Sequence, residues 1–322
     1  MPRPVEGSSV VITGASSGIG RCAAIEFARR GASLTLAARE PPSLESAAAE
    51  CERIGASVTA VPTDVADPDA VERLAASAVR AHGGVDTWVN AAGVMAYGPF
   101  EDVPADVFQR VIEINLTGQV NGARAALARF RDRDAGVLIN LSSVWGRITT
   151  PLVTSYVVSK HAVRAFSECL RHELVDSPEI YVVTILPQAV DTPIFEHAAN
   201  YSGYRMRPLP PIFDPADVAD GIVACAERPK REVTYGRAGR ALELLYAIAP
   251  RLYCRVAPAM FMRGTFVDDP QEPDSGNVIE GAGGRDRGGW RERGRRELAA
   301  GALAALGGLA LGIAGRKAKA KP

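Results

Sequence analysis

Seven short, β-branched and almost wholly apolar runs recur along the first 240 residues, separated by alanine-rich stretches long enough for helices. The runs are Ser9–Thr13, Ser33–Ala37, Ser57–Pro62, Thr87–Asn90, Val137–Leu141, Tyr181–Leu186 and Glu232–Tyr235. Continuous rather than alternating apolar character means that both faces of each strand are buried, as in a parallel sheet covered by helices on both sides. Helices are expected at Gly20–Arg30, Ser43–Ile54, Pro68–Ala81 and Ser155–Val175, the third opened by Asp67 as N-cap and Pro68 in its first turn. The expected class is α/β, a doubly wound parallel sheet over residues 5–240.

The remaining sequence changes character. Residues 241–263 place Leu242, Leu244, Leu245, Ile248, Leu252, Val256 and Met260 among arginines, which reads as one or two amphipathic helices interrupted by Pro250 and Pro258. Residues 264–297 are rich in Gly, Asp and Arg and are expected to be a disordered linker. Leu298–Gly315 carries no charge and is followed by Arg316, Lys317, Lys319 and Lys321. As a helix it would span about 27 Å, short of a hydrocarbon core of about 30 Å, and most of it is Ala and Gly. Disordered tail, soluble helix and membrane anchor, with membrane contact through 298–322, all stay open.

Composition excludes some functions. The 37 basic and 37 acidic side chains balance to zero, so no whole-molecule field steers the chain toward nucleic acid. Gly281–Arg296 superficially resembles an arginine–glycine RNA binder, but acidic residues from Glu280 to Glu297 favour a solvated linker, and no nucleic-acid partner is expected. Cys22, Cys51, Cys169, Cys225 and Cys254 are scattered, without a C-x-x-C pair. They point to reduced thiols in a cytoplasmic setting rather than to disulfides or a metal site. The N-terminus shows no apolar signal segment.

The first run ends in Thr13-Gly14-Ala15-Ser16-Ser17-Gly18-Ile19-Gly20, and a helix follows at once. Glycines there permit a tight turn and let backbone N–H groups approach a pyrophosphate, while the helix N-terminus adds about half a positive charge. A turn needing glycine only for positive φ would look the same in isolation. The strand before and the helix after favour a dinucleotide-binding, Rossmann-type turn.

Tyr156 and Lys160 stand four apart in a helical stretch, so their side chains share one face. A phenol is a poor base at neutral pH, and a neighbouring ammonium favours the phenolate. A thousandfold gain in acidity would correspond to about 4 kcal/mol of differential interaction. So tuned, Tyr156 could exchange a proton with a carbonyl or alcohol oxygen.

These motifs, in this order, resemble the short-chain dehydrogenase/reductase family, NADP-preferring type, over residues 8–236. Thr13–Gly20 resembles its T-G-x-x-x-G-x-G motif, and Asn90-Ala91-Ala92-Gly93 its N-A-G segment. The resemblance implies a catalytic set of Asn115, Ser143, Tyr156 and Lys160. Ser143 would hold the substrate oxygen, with Ser142 the competing serine, and Asn115 would perturb its helix and hold a water serving Lys160. It implies cofactor contacts from Gly14, Ser16, Ser17, Gly18, Ile19, Gly20, Arg39, Asp64, Val65, Asn90, Ala91, Gly93, Tyr156, Lys160, Pro187, Val190 and Thr192. Asp64 would contact adenine, although a turn-capping aspartate reads the same from sequence. Ala38 stands where NAD-preferring members carry Asp, and Arg39 follows, so NADP (NADPH) is expected rather than NAD. Arg39 as a mere solvated strand end, and Ser17 where many NADP-preferring relatives carry a second basic residue, are the counter-readings. Leu186–Thr192 resembles the segment against the nicotinamide, with Gln188 in place of the usual glycine.

The reaction expected is hydride exchange between NADP(H) and a small-molecule carbonyl or secondary alcohol. Residues 193–213, with Phe195, His197, Tyr201 and Tyr204, would cover a lipophilic substrate, His197 being a loop histidine rather than a base. The alternative is a cofactor-binding scaffold tethered by its tail. A homo-dimer or homo-tetramer is implied by the resemblance alone.

Overall fold

The computed structural model describes residues 4–281 and 284–292. In chain order its elements are β1 (Ser9–Thr13), α1 (Gly18–Arg29), β2 (Ser33–Ala38), α2 (Pro41–Ile54), β3 (Val58–Pro62), α3 (Pro68–His82), β4 (Thr87–Asn90), β5 (Ala96–Tyr97), α4 (Ala105–Ile112), α5 (Gly118–Arg133), β6 (Gly136–Leu141) and α6 (Thr154–Glu173). There follow β7 (Ile180–Pro187), β8 (Ala199–Asn200), β9 (Tyr204–Met206), α7 (Pro215–Glu227), β10 (Glu232–Tyr235), α8 (Arg237–Ile248), α9 (Pro250–Thr265), β11 (Phe266–Pro270) and α10 (Gly276–Ile279).

The main sheet has the order β10-β7-β6-β4-β1-β2-β3, with every pairing parallel. Successive residues of β1 face opposite sides, and both sides are covered. Val10 and Ile12 join Phe27, Leu44, Val218 and Ile222 beneath α1, α2 and α7. Val11 joins Trp88, Leu74, Phe130 and Leu138 beneath α3 and α5. The chain winds outward in opposite directions from β1 and β4, so their carboxyl ends open a crevice at the switch point, where ligands of such sheets bind. The helix starts follow the local sequence: Asp67 accepts from Asp69 N at 2.9 Å, and Glu40 accepts from Ser43 N at 2.9 Å.

Two expectations for the C-terminal part change. Pro250 does separate α8 from α9, but α9 runs on through Pro258. A mid-helix proline removes one backbone hydrogen bond; here the helix is held by Tyr253, Ala257 and Phe261, all buried. The segment expected as a disordered linker instead carries β11, which pairs with β9, and α10, and Trp290 is buried. Its polar composition is compatible with order because the charges are partnered: Arg285 pairs with Glu196, and Arg287 and Arg291 both pair with Asp214. The apolar run Leu298–Gly315 and its basic tail lie outside the described residues. Among the described residues no helix is long and apolar enough to cross a membrane.

Candidate active site

One cleft runs from the β1–α1 turn to the first turns of α6 and down to α9. Gly14, Ser16, Ser17, Gly18, Ile19, Gly20 and Arg39 line one end. Ala91, Gly93, Pro187, Val190 and Thr192 line its middle, with Ser143, Tyr156 and Lys160 beyond. The glycines test whether a dinucleotide suits this crevice. A Cβ on Gly14, whose φ is +68°, would stand 2.7 Å from the Ala92 Cα, so the β1 turn and the β4 end touch backbone to backbone. A Cβ on Gly93 would lie in ordinary contact with Asn115 Oδ1 at 3.5 Å and Lys160 Nζ at 3.7 Å, which places this glycine beside the reactive end. Gly14, Gly18, Gly20 and Gly93 all line the cleft without side chains, the bare floor that suits a dinucleotide.

At the reactive end, Tyr156 and Lys160 lie on one face of α6, with Nζ over the phenol ring, 5.4 Å from its centroid. Lys160 Nζ donates to Leu141 O at 2.9 Å. Ser143 hydrogen-bonds the Tyr156 side chain, and its Oγ also accepts from Trp145 N at 3.2 Å. Ser142 Oγ instead donates to Lys160 O, tying α6 to the end of β6. The second serine, not the first, thus meets the phenol. Asn115 lies in a π-helical turn, Glu113–Thr117, between α4 and α5. Its Oδ1 accepts from Val94 N at 2.8 Å, and its Nδ2 donates to Val94 O and to Ser159 Oγ.

In the resting site burial outweighs the acidification expected of a neighbouring ammonium. Burial pushes Tyr156 up to about 12, only partly opposed by the Ser143 hydrogen bond. Burial likewise pushes Lys160 down to about 8. Desolvation disfavours whichever form is charged, and the ammonium faces the ring rather than meeting the hydroxyl. The resting phenol keeps its proton.

Other residues expected at the site do different work. Asn90 is buried and spans the sheet, donating to Asn140 Oδ1 at 2.9 Å and accepting from Trp88 Nε1 at 2.8 Å; Ala91 and Gly93 line the cleft beside it. Asp64 pairs with Arg110 and accepts from Ala66 N at 3.0 Å, leaving Thr63 and Val65 as cleft residues. Gln188 lines the cleft, its side chain laid against Gly236, whose φ of +113° and missing Cβ make room for it. His197 also lines the cleft, and burial lowers its pKa.

The C-terminal segment is a strap along the cofactor end, unforeseen from the sequence. Arg39 donates to the carbonyls of Asn277, Val278 and Ile279, and Gly18 N donates to Arg285 O at 3.0 Å. Asp191 fastens the strap by accepting from Trp290 N at 2.7 Å and from Arg291 N at 3.3 Å. The signal available was an aspartate beside the Thr192 motif and a lone tryptophan in a polar run.

A doubly wound sheet with a glycine-floored crevice and a buried Ser–Tyr–Lys group at its carboxyl end defines a class of oxidoreductase, and a profile of short chain dehydrogenases matches residues 8–201. The chain belongs to the short-chain dehydrogenase/reductase family. It is 34% identical over 293 residues to the uncharacterized oxidoreductase YxnA of Bacillus subtilis, covering 87% of this chain and 81% of that one. It is 33% identical over 263 residues to dehydrogenase/reductase SDR family member 7B of Bos taurus, covering 78% and 81%. A short-chain dehydrogenase/reductase from Burkholderia phymatum, solved in complex with NAD, superposes with a TM-score of 0.70 at 27% identity, covering 78% of this chain and 96% of that one.

Proposed function

We propose that the chain exchanges a hydride between NADP(H) and the carbonyl or secondary alcohol of a lipophilic small molecule. The carrying observation is the buried Ser143–Tyr156–Lys160 group at the end of a glycine-floored cleft. A bound nicotinamide would supply or accept the hydride. Gly14 to Gly20 would hold its pyrophosphate, with Gly18 N exchanging the Arg285 carbonyl for it, and Gly93, Pro187, Val190 and Thr192 would flank the nicotinamide half.

In the reducing direction Tyr156, protonated at rest, donates its phenolic proton to the substrate oxygen. The Ser143 hydroxyl hydrogen-bonds that oxygen as charge develops on it. Lys160 stabilises the phenolate left behind, its cation held at the ring by Leu141 O. In the oxidising direction the same residues act in reverse, and the raised phenol pKa makes that direction favour alkaline pH. Asn115 braces the site by bridging Val94 to Ser159, whose hydroxyl donates to Tyr156 O. The apolar wall formed by Met95, Trp145, Ile148, Phe195 and Phe261 favours a lipophilic substrate.

NADP preference is supported by Arg39 at the end of β2, with Ala38 in place of a carboxylate. A 2′-phosphate offers the guanidinium an anionic acceptor that it can grip bidentately, instead of the neutral carbonyls of the strap, and so adds ion-pair attraction to the hydrogen bonds. The neighbour solved with NAD supports the other nicotinamide and makes the comparison worth measuring. The test follows NADPH and NADH oxidation with a panel of hydrophobic aldehydes and ketones. NADPH should be preferred, and Arg39→Ala should raise its KM by about tenfold to a hundredfold, leaving that for NADH nearly unchanged. Equal use of both cofactors before and after the substitution would remove the NADP assignment. Cofactor binding without turnover of any carbonyl would favour the tethered scaffold.

A further inference from the structure

The helical pair α8–α9 presents two faces with different fates. Its inner face is spent: Leu242, Leu245 and Tyr246 pack with Tyr253 and Ala257 on Val144 and Ile148, and Tyr253 Oη donates to Thr149 O at 2.6 Å. Its outer face is apolar and exposed, with Leu244 and Ile248 on α8 and Leu252, Val256 and Met260 on α9. Ile248 is 73% and Leu244 60% exposed, an unusual state for branched apolar side chains at i, i+4 spacing on one stripe.

The exposed charges on these two helices are of one sign. Arg240, Arg251, Arg255 and Arg263 are exposed on the same two helices. From Arg237 to Val267 the sole acidic residue is Glu243, whose carboxylate is held by Arg147. An apolar helical stripe flanked by arginines and free of exposed carboxylates matches the interface of an anionic bilayer: side chains enter the acyl boundary, and guanidinium groups meet the headgroups. A second copy of the chain is a poor occupant, because a two-fold contact through this patch would set arginines against arginines with no exposed acid on either helix to neutralise them.

We propose that α8 and α9 dock the protein on the surface of an anionic membrane, lying in the interface rather than crossing it. The same helices bound the reactive end of the cleft through Leu242, Tyr253, Ala257, Met260 and Phe261, and Met260 both lines the cleft and belongs to the exposed stripe. A docked molecule turns that end of the cleft toward the bilayer, so a carbonyl or alcohol dissolved in lipid reaches Tyr156 from the membrane side. This last consequence rests on the proposed oxidoreductase reading, whereas the docking does not.

The test is co-sedimentation of the full chain with phosphatidylcholine vesicles, with and without phosphatidylserine, in the absence of substrate. The wild-type chain should bind the phosphatidylserine vesicles and be released by salt. Leu244→Glu/Ile248→Glu/Val256→Glu should bind roughly tenfold more weakly or less. Arg251→Glu/Arg255→Glu should lose the dependence on phosphatidylserine. An unchanged thermal unfolding midpoint and tryptophan emission show that each variant is folded. The proposal fails if the wild-type chain stays in the supernatant, or if the triple variant sediments as well as wild type, which would assign binding to residues 298–322. It also fails if the wild-type chain is a dimer that the triple substitution dissociates. Carbonyl turnover is no part of this readout, so failure of docking and failure of the catalytic reading are separable.

Discussion

Lys160 and Tyr156 are each forced by burial toward their neutral forms, and this has a consequence for stability that can be worked out with its sign. Below pH about 8 the folded chain carries a buried ammonium, while the unfolded chain carries a solvated one, so folding bears the full desolvation cost. Between about 8 and the ordinary 10.5 the folded lysine has lost its proton and the unfolded one has not, so stability rises with pH across that window. Tyr156 works the other way: its proton is retained when folded between 10.0 and about 12, and stability falls there. Lys160→Met removes the first effect and keeps the second. The wild-type chain should therefore gain on the variant, by about 3 kcal/mol in all, as pH rises from neutral toward 10. Parallel unfolding curves for the two proteins at pH 7 and 10 would contradict a buried cation. The slope is the quantity to measure, because the substitution also frees Leu141 O.

At the scale of elements, the strap from α10 to Trp290 is held by Arg39 at one end and by Asp191 and Asp214 at the other. Asp191 accepts two of its backbone N–H groups, and Asp214 caps α7 through Ala216 N at 3.0 Å and pairs with Arg287 and Arg291. Asp191→Ala should loosen the strap without unfolding the sheet, since no sheet strand depends on it. Limited trypsin digestion should then cut after Arg285 or Arg287 several times faster than in wild type, with the global unfolding midpoint nearly unchanged; equal protection in both proteins would show that the strap is held elsewhere. Another local device is Gly236, whose positive φ and missing Cβ admit Gln188. Gly236→Val would force Gln188 out of its place and strain the backbone, and should cost about 1–3 kcal/mol in chemical unfolding.

Over the whole molecule, the sheet was legible because its signals are local: β-branched runs, Asp67 before Pro68, and the Gly14–Gly20 turn each announce themselves within a few residues. The grouping of Ser143, Tyr156 and Lys160 was legible through motif spacing. What escaped depends on partners distant in sequence. Asn90 reads as a cofactor residue, but Asn140, fifty positions away, claims it. Asp64 is claimed by Arg110. A run of arginines and glycines reads as solvated until Glu196, Asp191 and Asp214 are placed opposite it. The electrostatic balance at Tyr156 was likewise invisible, because burial is a property of the fold and not of a four-residue spacing.

The account turns on the Tyr156 hydroxyl delivering a proton, and Tyr156→Phe removes that oxygen while keeping the ring that packs edge-on to Trp145, 5.9 Å between centroids. In NADPH-dependent reduction of the best carbonyl substrate, kcat should fall by about 10²–10⁴, with NADPH affinity unchanged. A phenylalanine variant that turns over at the wild-type rate would contradict it.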